Sequence, residues 1–335
     1  MARNGRKGRG CLITLLVLII IGLLLWFVGV PLANNKAEDV VDSVIQDALS
    51  SPGMPELGYR DIQVNAQKGQ VDVFDLVLPL EEGSSIHASH IKLTVTPSEL
   101  ISFGLGQTEG LTRADVDLQQ FSYTTHDTKI AMGNALIKLD GLINLNDVES
   151  SVIRDVQLTA EKVQYSDPKS NMAFNTETLT LDVTGNMTMA TLEKDIDGIL
   201  DDIAYVDVEA TDGKLVPDAT MMEQIGMFAM VSPWIAETNN WGYDSVSLEA
   251  RSIADSVEID AFALSAPLMD ATGSAKLPRK KDGPLALDVD IAELNSQVRA
   301  ELAPIAMFMG QQIPEGAFNL NLDWAEGGMP SFTLR

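Results

Sequence analysis

The sequence has few of the side chains that build covalent or metal-bound sites. Its 335 residues include one cysteine, Cys11, and three histidines, His87, His90 and His126. A single cysteine leaves no disulfide within the chain, so the fold must be stabilised by its own apolar core. On a regular strand, the spacing of His87 and His90 points them to opposite faces. We therefore expect no metal site and no cofactor.

The motifs of the common enzyme classes are also absent from the sequence. No G-x-S-x-G, P-loop, H-E-x-x-H or G-x-G-x-x-G pattern occurs, so the usual nucleophile, phosphate and dinucleotide sites are not indicated. Two aspartate pairs, Asp115 with Asp117 and Asp288 with Asp290, could chelate calcium. Both pairs fall on the polar face of a predicted strand, which favours simple solvation. The sequence predicts a protein that is not an enzyme.

Basic residues are outnumbered about two to one. The chain has 23 Lys and Arg against 48 Asp and Glu, which gives a formal net charge of −25. A surface of this charge repels nucleic acid, so no nucleic-acid partner is expected. The acidic residues are scattered along the alternating segments instead of forming runs. This distribution favours a solvated, soluble shell, with a cationic partner as the alternative.

One long apolar run lies near the start of the sequence. Residues 11–33 carry no charge, and as a helix they would be about 34 Å long against a bilayer core of about 30 Å. Four basic residues precede the run: Arg3, Arg6, Lys7 and Arg9. We predict a cytoplasmic tail over residues 1–10 and a single transmembrane helix over 11–33. The alternative is a cleaved signal peptide, which should have a shorter apolar core and a small-residue cleavage site.

The rest of the chain is predicted to be one amphipathic helix followed by a β-rich domain. Residues 34–53 form the helix and its connector, and residues 54–335 form the domain. Strict alternation of apolar and polar residues, as in Leu179–Val183, predicts half-buried antiparallel strands. The apolar residues change phase after Leu118 and after Ala160, which predicts a β-bulge in each of those strands.

Helices are sparse in this predicted domain. A short one should begin at Pro97, and longer ones should cover Ala190–Tyr205, Pro217–Ala236 and Leu302–Met309. Residues 279–283 form a predicted hairpin turn. The fold class is therefore mainly β (α+β), with a curved, mostly antiparallel sheet and too few helices to cover it. Such a sheet would leave an apolar groove partly open.

The alternating strands and the methionine-rich segment supply candidate residues for the groove and for a lid over it. The aliphatic groove candidates are Val116, Leu118, Val156, Leu158, Leu179, Leu181, Val183, Val206, Val208, Val246, Leu248, Leu287, Val289 and Leu320. The lid candidates are Met221, Met222, Met227, Phe228, Met230 and Trp234. Methionine suits a surface that adapts to flexible apolar ligands, but the same stripe could be ordinary core filling.

Three segments of the sequence share features with one known family. Leu264–Leu277 and Leu285–Val289 form a predicted strand, turn and strand, and Thr96–Leu100 forms a step from strand to short helix. These segments resemble the AsmA-like family of bacterial envelope proteins, which includes the related N component of type II secretion, with Ala275 where the family has a second glycine. The resemblance implies an inner-membrane anchor, a periplasmic domain, and a curved groove related to bridge-like lipid-transport proteins that serve outer-membrane homeostasis.

Two functions follow from these observations. The first is lipid handling, in which the apolar strand face binds or shields the acyl chains of membrane lipids. The second is a structural or scaffold subunit of an envelope assembly, such as a secretion component, whose core is closed. Other envelope proteins would then be its partners, through an exposed edge strand.

Overall fold

A computed structural model describes residues 58–65, 68–79, 84–104, 110–144, 150–188, 201–224, 226–253, 256–279, 284–308, 310–324 and 331–335. The predicted cytoplasmic tail, transmembrane helix and amphipathic helix, residues 1–53, lie outside these ranges. Within them, no helix has both the length and the apolar character needed to cross a bilayer.

In the described part of the chain, fourteen strands form one open sheet in which each strand pairs with the next along the sequence. The strands are β1 (Asp61–Asn65), β2 (Gln70–Pro79), β3 (Ser85–Val95), β4 (Gly110–Thr124), β5 (Lys129–Asn144), β6 (Val152–Asp167), β7 (Met172–Thr188), β8 (Ile203–Val216), β9 (Gly242–Ile253), β10 (Ser256–Ser265), β11 (Met269–Pro278), β12 (Leu285–Leu294), β13 (Phe318–Trp324) and β14 (Ser331–Leu334). The pairs are antiparallel, from β1–β2 to β13–β14. The prediction of a mainly β, antiparallel sheet is confirmed.

The described helices are few and mostly short. They are α1 (Pro97–Gly104), α2 (Ala219–Gln224), α3 (Gly226–Val231), α4 (Pro233–Ala236), a 3₁₀ turn (Thr238–Asn240) and α5 (Ser296–Phe308). The helix predicted to begin at Pro97 is confirmed as α1. The helix predicted near Leu302 is the second half of α5.

Two of the predicted helices need correction. The single helix predicted over Pro217–Ala236 is interrupted at Ser232, where α3 has ended at Val231 and α4 begins at Pro233. Pro233 cannot continue α3 because it lacks a backbone N–H, so it opens a new helix capped by Ser232. The helix over Ala190–Tyr205 cannot reach its predicted end, because β8 begins at Ile203 and Tyr205 pairs with Arg251 of β9.

The chain clusters into two compact units. Unit 1 comprises Met1–His126, Ala131–Ala160 and Asp182–Ala204, and unit 2 comprises Asp127–Ile130, Glu161–Leu181 and Tyr205–Arg335. In unit 1, Val71, Leu93 and Val116 form a cross-strand row on one face of β2, β3 and β4. These three side chains are at most 1% exposed. The apolar face of these strands is therefore a filled core.

Residues in the left-handed region interrupt β2, β4, β6 and β8. They are Asp75 (φ 51°), Gln120 (φ 49°), Lys162 (φ 53°) and Asp212 (φ 51°). Burial passes from Leu118 to Phe121 across Gln120, and from Ala160 to Val163 across Lys162. The two predicted phase changes are confirmed, and the left-handed residue is their local cause, because it rotates the chain to its other face.

The β-bulge proposed to explain the phase change in β4 is wrong for the β3–β4 pair. His87 pairs with Ser122 and His90 pairs with Gln119, so the register is the same on both sides of Gln120 and β4 gains no extra residue. Strand β3 changes phase at the same level, because Ala88 and Ile91 are both buried. His87 and His90 therefore lie on the same, polar face, contrary to the prediction of opposite faces.

Candidate apolar binding cavity

Unit 2 contains an apolar cavity of about 520 Å³. Volumes of about 300–1,000 Å³ are typical of small-molecule sites. Its lining residues are Phe174, Leu179, Val208, Ala210, Leu215, Trp234, Ile235, Asn240, Trp241, Gly242, Tyr243, Val246, Leu264, Ala266 and Leu268. None of them is acidic or basic, so the cavity suits an uncharged, apolar group.

The sheet provides one wall of the cavity. Ala210 of β8 pairs with Val246 of β9, and Val246 pairs with Leu264 of β10. This row of three side chains crosses three strands on the same face, since directly paired residues of antiparallel strands point the same way. Leu179 and Val208 add to the wall from β7 and β8. The alternation of apolar residues along each strand thus produces a continuous aliphatic surface.

The segment from α4 to the start of β9, residues 233–241, provides a second wall. The indole N–H of Trp241 donates to the backbone oxygen of Ile235 at 2.9 Å. The side-chain amide of Asn240 donates to the backbone oxygen of Trp234 at 2.9 Å. Because these polar atoms are satisfied within the segment, its aromatic surfaces can face the cavity without an unpaired donor.

Tyr243 lies where the two walls meet. Its hydroxyl donates to the backbone oxygen of Asn175 at 3.2 Å, and its ring stacks against Phe174 with centroids 6.2 Å apart. Burial raises the pKa of Tyr243 above its ordinary value, so the hydroxyl stays neutral. Gly213 makes room for this ring, because any Cβ at position 213 would overlap the Tyr243 hydroxyl. The cavity therefore keeps an uncharged, aromatic end.

Some groove candidates meet at this cavity and others do not. Leu179, Val208 and Val246 line it, whereas Leu181, Val206 and Leu248 of unit 2 are half-buried outside its lining. Leu287, Val289 and Leu320 pack in a separate cluster with Phe318 and Ile291. In unit 1, Val116 and Leu118 belong to the filled core, and Val156, Leu158 and Val183 are half-buried.

The lid candidates also differ in whether they line the cavity. Trp234 lines the cavity, Met221 and Met222 are half-buried, and Met230 is 87% exposed. The side chains of Met227 and Phe228 lie outside the described residues. Among the lid candidates whose side chains are described, Trp234 lines the cavity, together with its neighbours Ile235, Asn240 and Trp241.

Sequence reasoning identified Trp234 but missed the other aromatic residues of the site. Trp241, Tyr243 and Phe174 line the cavity, but no regular spacing links them to the alternating strands. One signal was present: two of the four tryptophans of the chain fall between residues 234 and 241. Amphipathic aromatic residues concentrated beside a strand are typical of binding surfaces.

Histidines and carboxylates make local contacts elsewhere in the described chain. His90 Nε2 lies 2.8 Å from Asp72 Oδ1, and the imidazole stacks on Phe74 with ring centroids 4.6 Å apart. Among the residues that the structure describes, no group of three or more His, Cys, Asp and Glu side chains is placed to hold a metal ion.

No family model, curated protein or solved structure matches the chain. The interpretation of the cavity therefore depends on its own geometry and chemistry.

Proposed function

We propose that the chain is a membrane-anchored periplasmic protein of AsmA-like type that binds or shields lipid acyl chains and contributes to lipid transport or outer-membrane homeostasis. The observation that carries this proposal is the uncharged cavity of unit 2, with the aliphatic row of Ala210, Val246 and Leu264 on one side and Trp234 and Trp241 on the other. The proposal places the anchor at residues 11–33, with the N-terminus in the cytoplasm and residues 54–335 in the periplasm.

The energetics of the cavity favour an acyl chain. Each methylene transferred from water to an apolar site contributes about 0.8 kcal/mol. The side-chain donors of Asn240, Trp241 and Tyr243 are hydrogen-bonded within the protein. A ligand that needs no hydrogen bond from the site therefore loses nothing by entering it.

A scaffold subunit is the second candidate, and unit 1 favours it. The side chains of Val71, Leu93 and Val116 lie side by side on one face of the sheet and are at most 1% exposed, so this face is already covered. A filled sheet face of this kind suits a structural module with protein partners of the envelope. The two functions differ in what copurifies with the chain: a lipid for the first, and stoichiometric protein for the second.

The test inserts a charge into the cavity and compares it with the same charge on the opposite face. Leu179→Glu places a carboxylate in the lining, whereas Thr180→Glu places it on the neighbouring, exposed residue of β7. Both variants and the unaltered chain are purified in full length. Bound lipid is measured by native mass spectrometry, and binding by titration with phosphatidylethanolamine that carries an NBD-labelled acyl chain.

The unaltered chain and Thr180→Glu should bind the labelled lipid, and Leu179→Glu should lose binding. Because Leu179→Glu could also unfold unit 2, Ala266→Trp serves as an uncharged variant that fills the cavity from its rim. Circular dichroism reports folding for each variant. Equal lipid binding by all four proteins, or none by the unaltered chain, would refute the proposed function.

A further inference from the structure

Helix α5 holds both segments that border the cavity. Its N-terminal end bonds to the turn that contains Ala266 and Leu268, and its second turn bonds to the segment that contains Trp234 and Ile235. These four residues all line the cavity, whereas none of the described side chains of α5 does. The helix therefore supports the residues that line the cavity through hydrogen bonds to their segments.

Asn295 makes the first attachment. Its backbone N–H donates to Leu268 O at 2.9 Å, and its side-chain amide donates to Pro267 O at 3.1 Å. Its side-chain oxygen accepts from the N–H of Gln297 and of Val298, which makes it the N-cap of α5. One residue thus caps the helix and fixes it to the turn.

Glu301 makes the second attachment. Its Oε2 accepts from the Ser232 hydroxyl at 2.5 Å and from the Trp234 N–H at 3.3 Å, and its Oε1 accepts from the Gln297 amide at 2.8 Å. Ser232 is fully buried and also caps α4. The Ser232 hydroxyl is the main reason that the pKa of Glu301 is below its ordinary value, so the group is a carboxylate at neutral pH.

The C-terminal end of the wall is bonded to β8, where the N–H of Leu215 donates to Trp241 O at 3.0 Å and Lys214 Nζ donates to Asn239 Oδ1 at 3.1 Å. Its N-terminal end, at α4, is bonded to Glu301 instead. Helix α4 has four residues and no buried residue. Helices shorter than about 12 residues are marginal in water and depend on tertiary contacts. The charged hydrogen bond from the buried Ser232 hydroxyl to Glu301 therefore contributes to holding the α4 end of the wall in place.

We propose that Glu301 is a positioning residue that holds the Trp234–Trp241 wall over the cavity and thereby controls entry and release of the ligand. The control of release rests on the proposed function, whereas the attachment of the wall does not. Breaking the bonds of Glu301 to Ser232 and Trp234 should loosen the wall without changing any lining side chain.

The attachment is tested without a ligand, by hydrogen exchange of the full chain followed by mass spectrometry of its peptides. Glu301→Ala should make the amides of residues 232–241 exchange about tenfold faster or more, as expected for the loss of a charge-assisted hydrogen bond. Quenching of Trp234 and Trp241 fluorescence by acrylamide should rise as well. The exchange rates of peptides from unit 1 should not change.

Two control variants test whether loss of the bonds to Ser232 and Trp234 is the cause of the faster exchange. Gln297→Ala removes the amide that binds the other oxygen of Glu301 but leaves Ser232 and Trp234 bonded, so residues 232–241 should keep their slow exchange. Glu223→Gln removes an exposed carboxylate of α2 and should have no effect. If Glu301→Ala unfolds unit 2 by circular dichroism, Glu301→Gln, which keeps an acceptor oxygen and loses the charge, should show a smaller acceleration confined to the same peptides. Unchanged exchange in a folded Glu301 variant would overturn the proposal.

Release is tested separately with the NBD-labelled lipid. Dissociation from Glu301→Ala should be faster by a similar factor, and dissociation from Gln297→Ala should be unchanged. If the unaltered chain binds no lipid, the proposed function fails while the exchange result still decides the attachment. If lipid binds and leaves both variants at the same rate, Glu301 does not control release and this inference fails alone.

Discussion

Strands with the same alternation of apolar and polar residues have different roles in the two units. In unit 1, large aliphatic side chains such as Leu76, Ile86 and Leu93 are at most 1% exposed, and the sheet face is filled. In unit 2, the aliphatic residues Leu179, Val208 and Val246 are only half-buried and border a cavity. An apolar strand face thus predicts that something apolar covers it, but does not distinguish a packed core from a binding surface.

The largest expected difference between the units is the cost of removing one leucine side chain. Leu93→Ala creates a void in the filled core and should lower the free energy of unfolding by about 2–5 kcal/mol. Leu264→Ala enlarges an existing cavity beside a half-buried side chain and should cost about 1 kcal/mol. Denaturant unfolding of both variants measures this. Equal costs would mean that the cavity wall is packed as tightly as the core of unit 1.

The left-handed residues should respond alike in both units, with an effect of intermediate size. Gln120→Gly in unit 1 and Asp212→Gly in unit 2 should leave stability unchanged or raise it by about 1 kcal/mol, because glycine adopts positive φ without strain. Valine at either position should lower stability by about 1–3 kcal/mol.

Controls for this prediction are exposed residues with ordinary backbone angles on the same strands. Gln119→Gly and Glu209→Gly should each lower stability by about 0.5–1 kcal/mol, because a strand gains no strain relief there and loses entropy. If the glycine variants at 120 and 119 lose the same stability, strain at Gln120 is not what separates the two positions.

The smallest expected effect is an opposite response of the units to acid. In unit 2, the pKa of Glu301 is lowered from its ordinary 4.5. Its stabilisation is present above that value and is lost as the pH falls through the folded pKa. In unit 1, burial and the neighbouring Asp182 and Asp140 raise the pKa of Asp155 above its ordinary 3.8. The destabilisation caused by the Asp155 carboxylate is absent below pH 3.8 and complete above the folded pKa. Acid therefore relieves it.

Stability measured between pH 3 and pH 7 tests this comparison in two variants. Glu301→Gln should reduce the loss of stability on acidification, because it removes a group that favours the folded state only when charged. Asp155→Asn should stabilise the chain at pH 7 and lose that advantage at low pH. Parallel pH profiles for these two variants and the unaltered chain would contradict the assignment of either group.

Prediction from the sequence succeeded where the signal is local. Alternation in Leu179–Val183 and Leu285–Val289 indicated strands that are present, and the phase changes after Leu118 and Ala160 coincide with left-handed residues. Pro97 marked the start of α1. In each case a few neighbouring residues determine the backbone geometry, so no distant contact is needed to infer it.

Prediction failed where contacts between distant parts of the chain override the local pattern. The apolar residues Ile199, Leu200 and Ile203 have helical spacing, but Ile203 lies in β8, because pairing of Tyr205 with Arg251 extends that strand. The stripe of lid candidates includes Trp234, which lines the cavity, and Met230, which is 87% exposed, and its helical spacing did not point to Trp241. Side-chain periodicity describes one element and cannot say which neighbour that element meets.

The sequence by itself determined the character of the protein: acidic, without a second cysteine, and built from strands with one apolar and one polar face. These properties follow from composition and from the period of two, which belong to the chain alone. Only the tertiary structure decided which apolar face is filled and which borders a cavity, and it brought Glu301 to Ser232 across 69 positions of the chain. Such contacts depend on how the elements pack, because burial is a property of surfaces that meet and not of the residues that compose one of them.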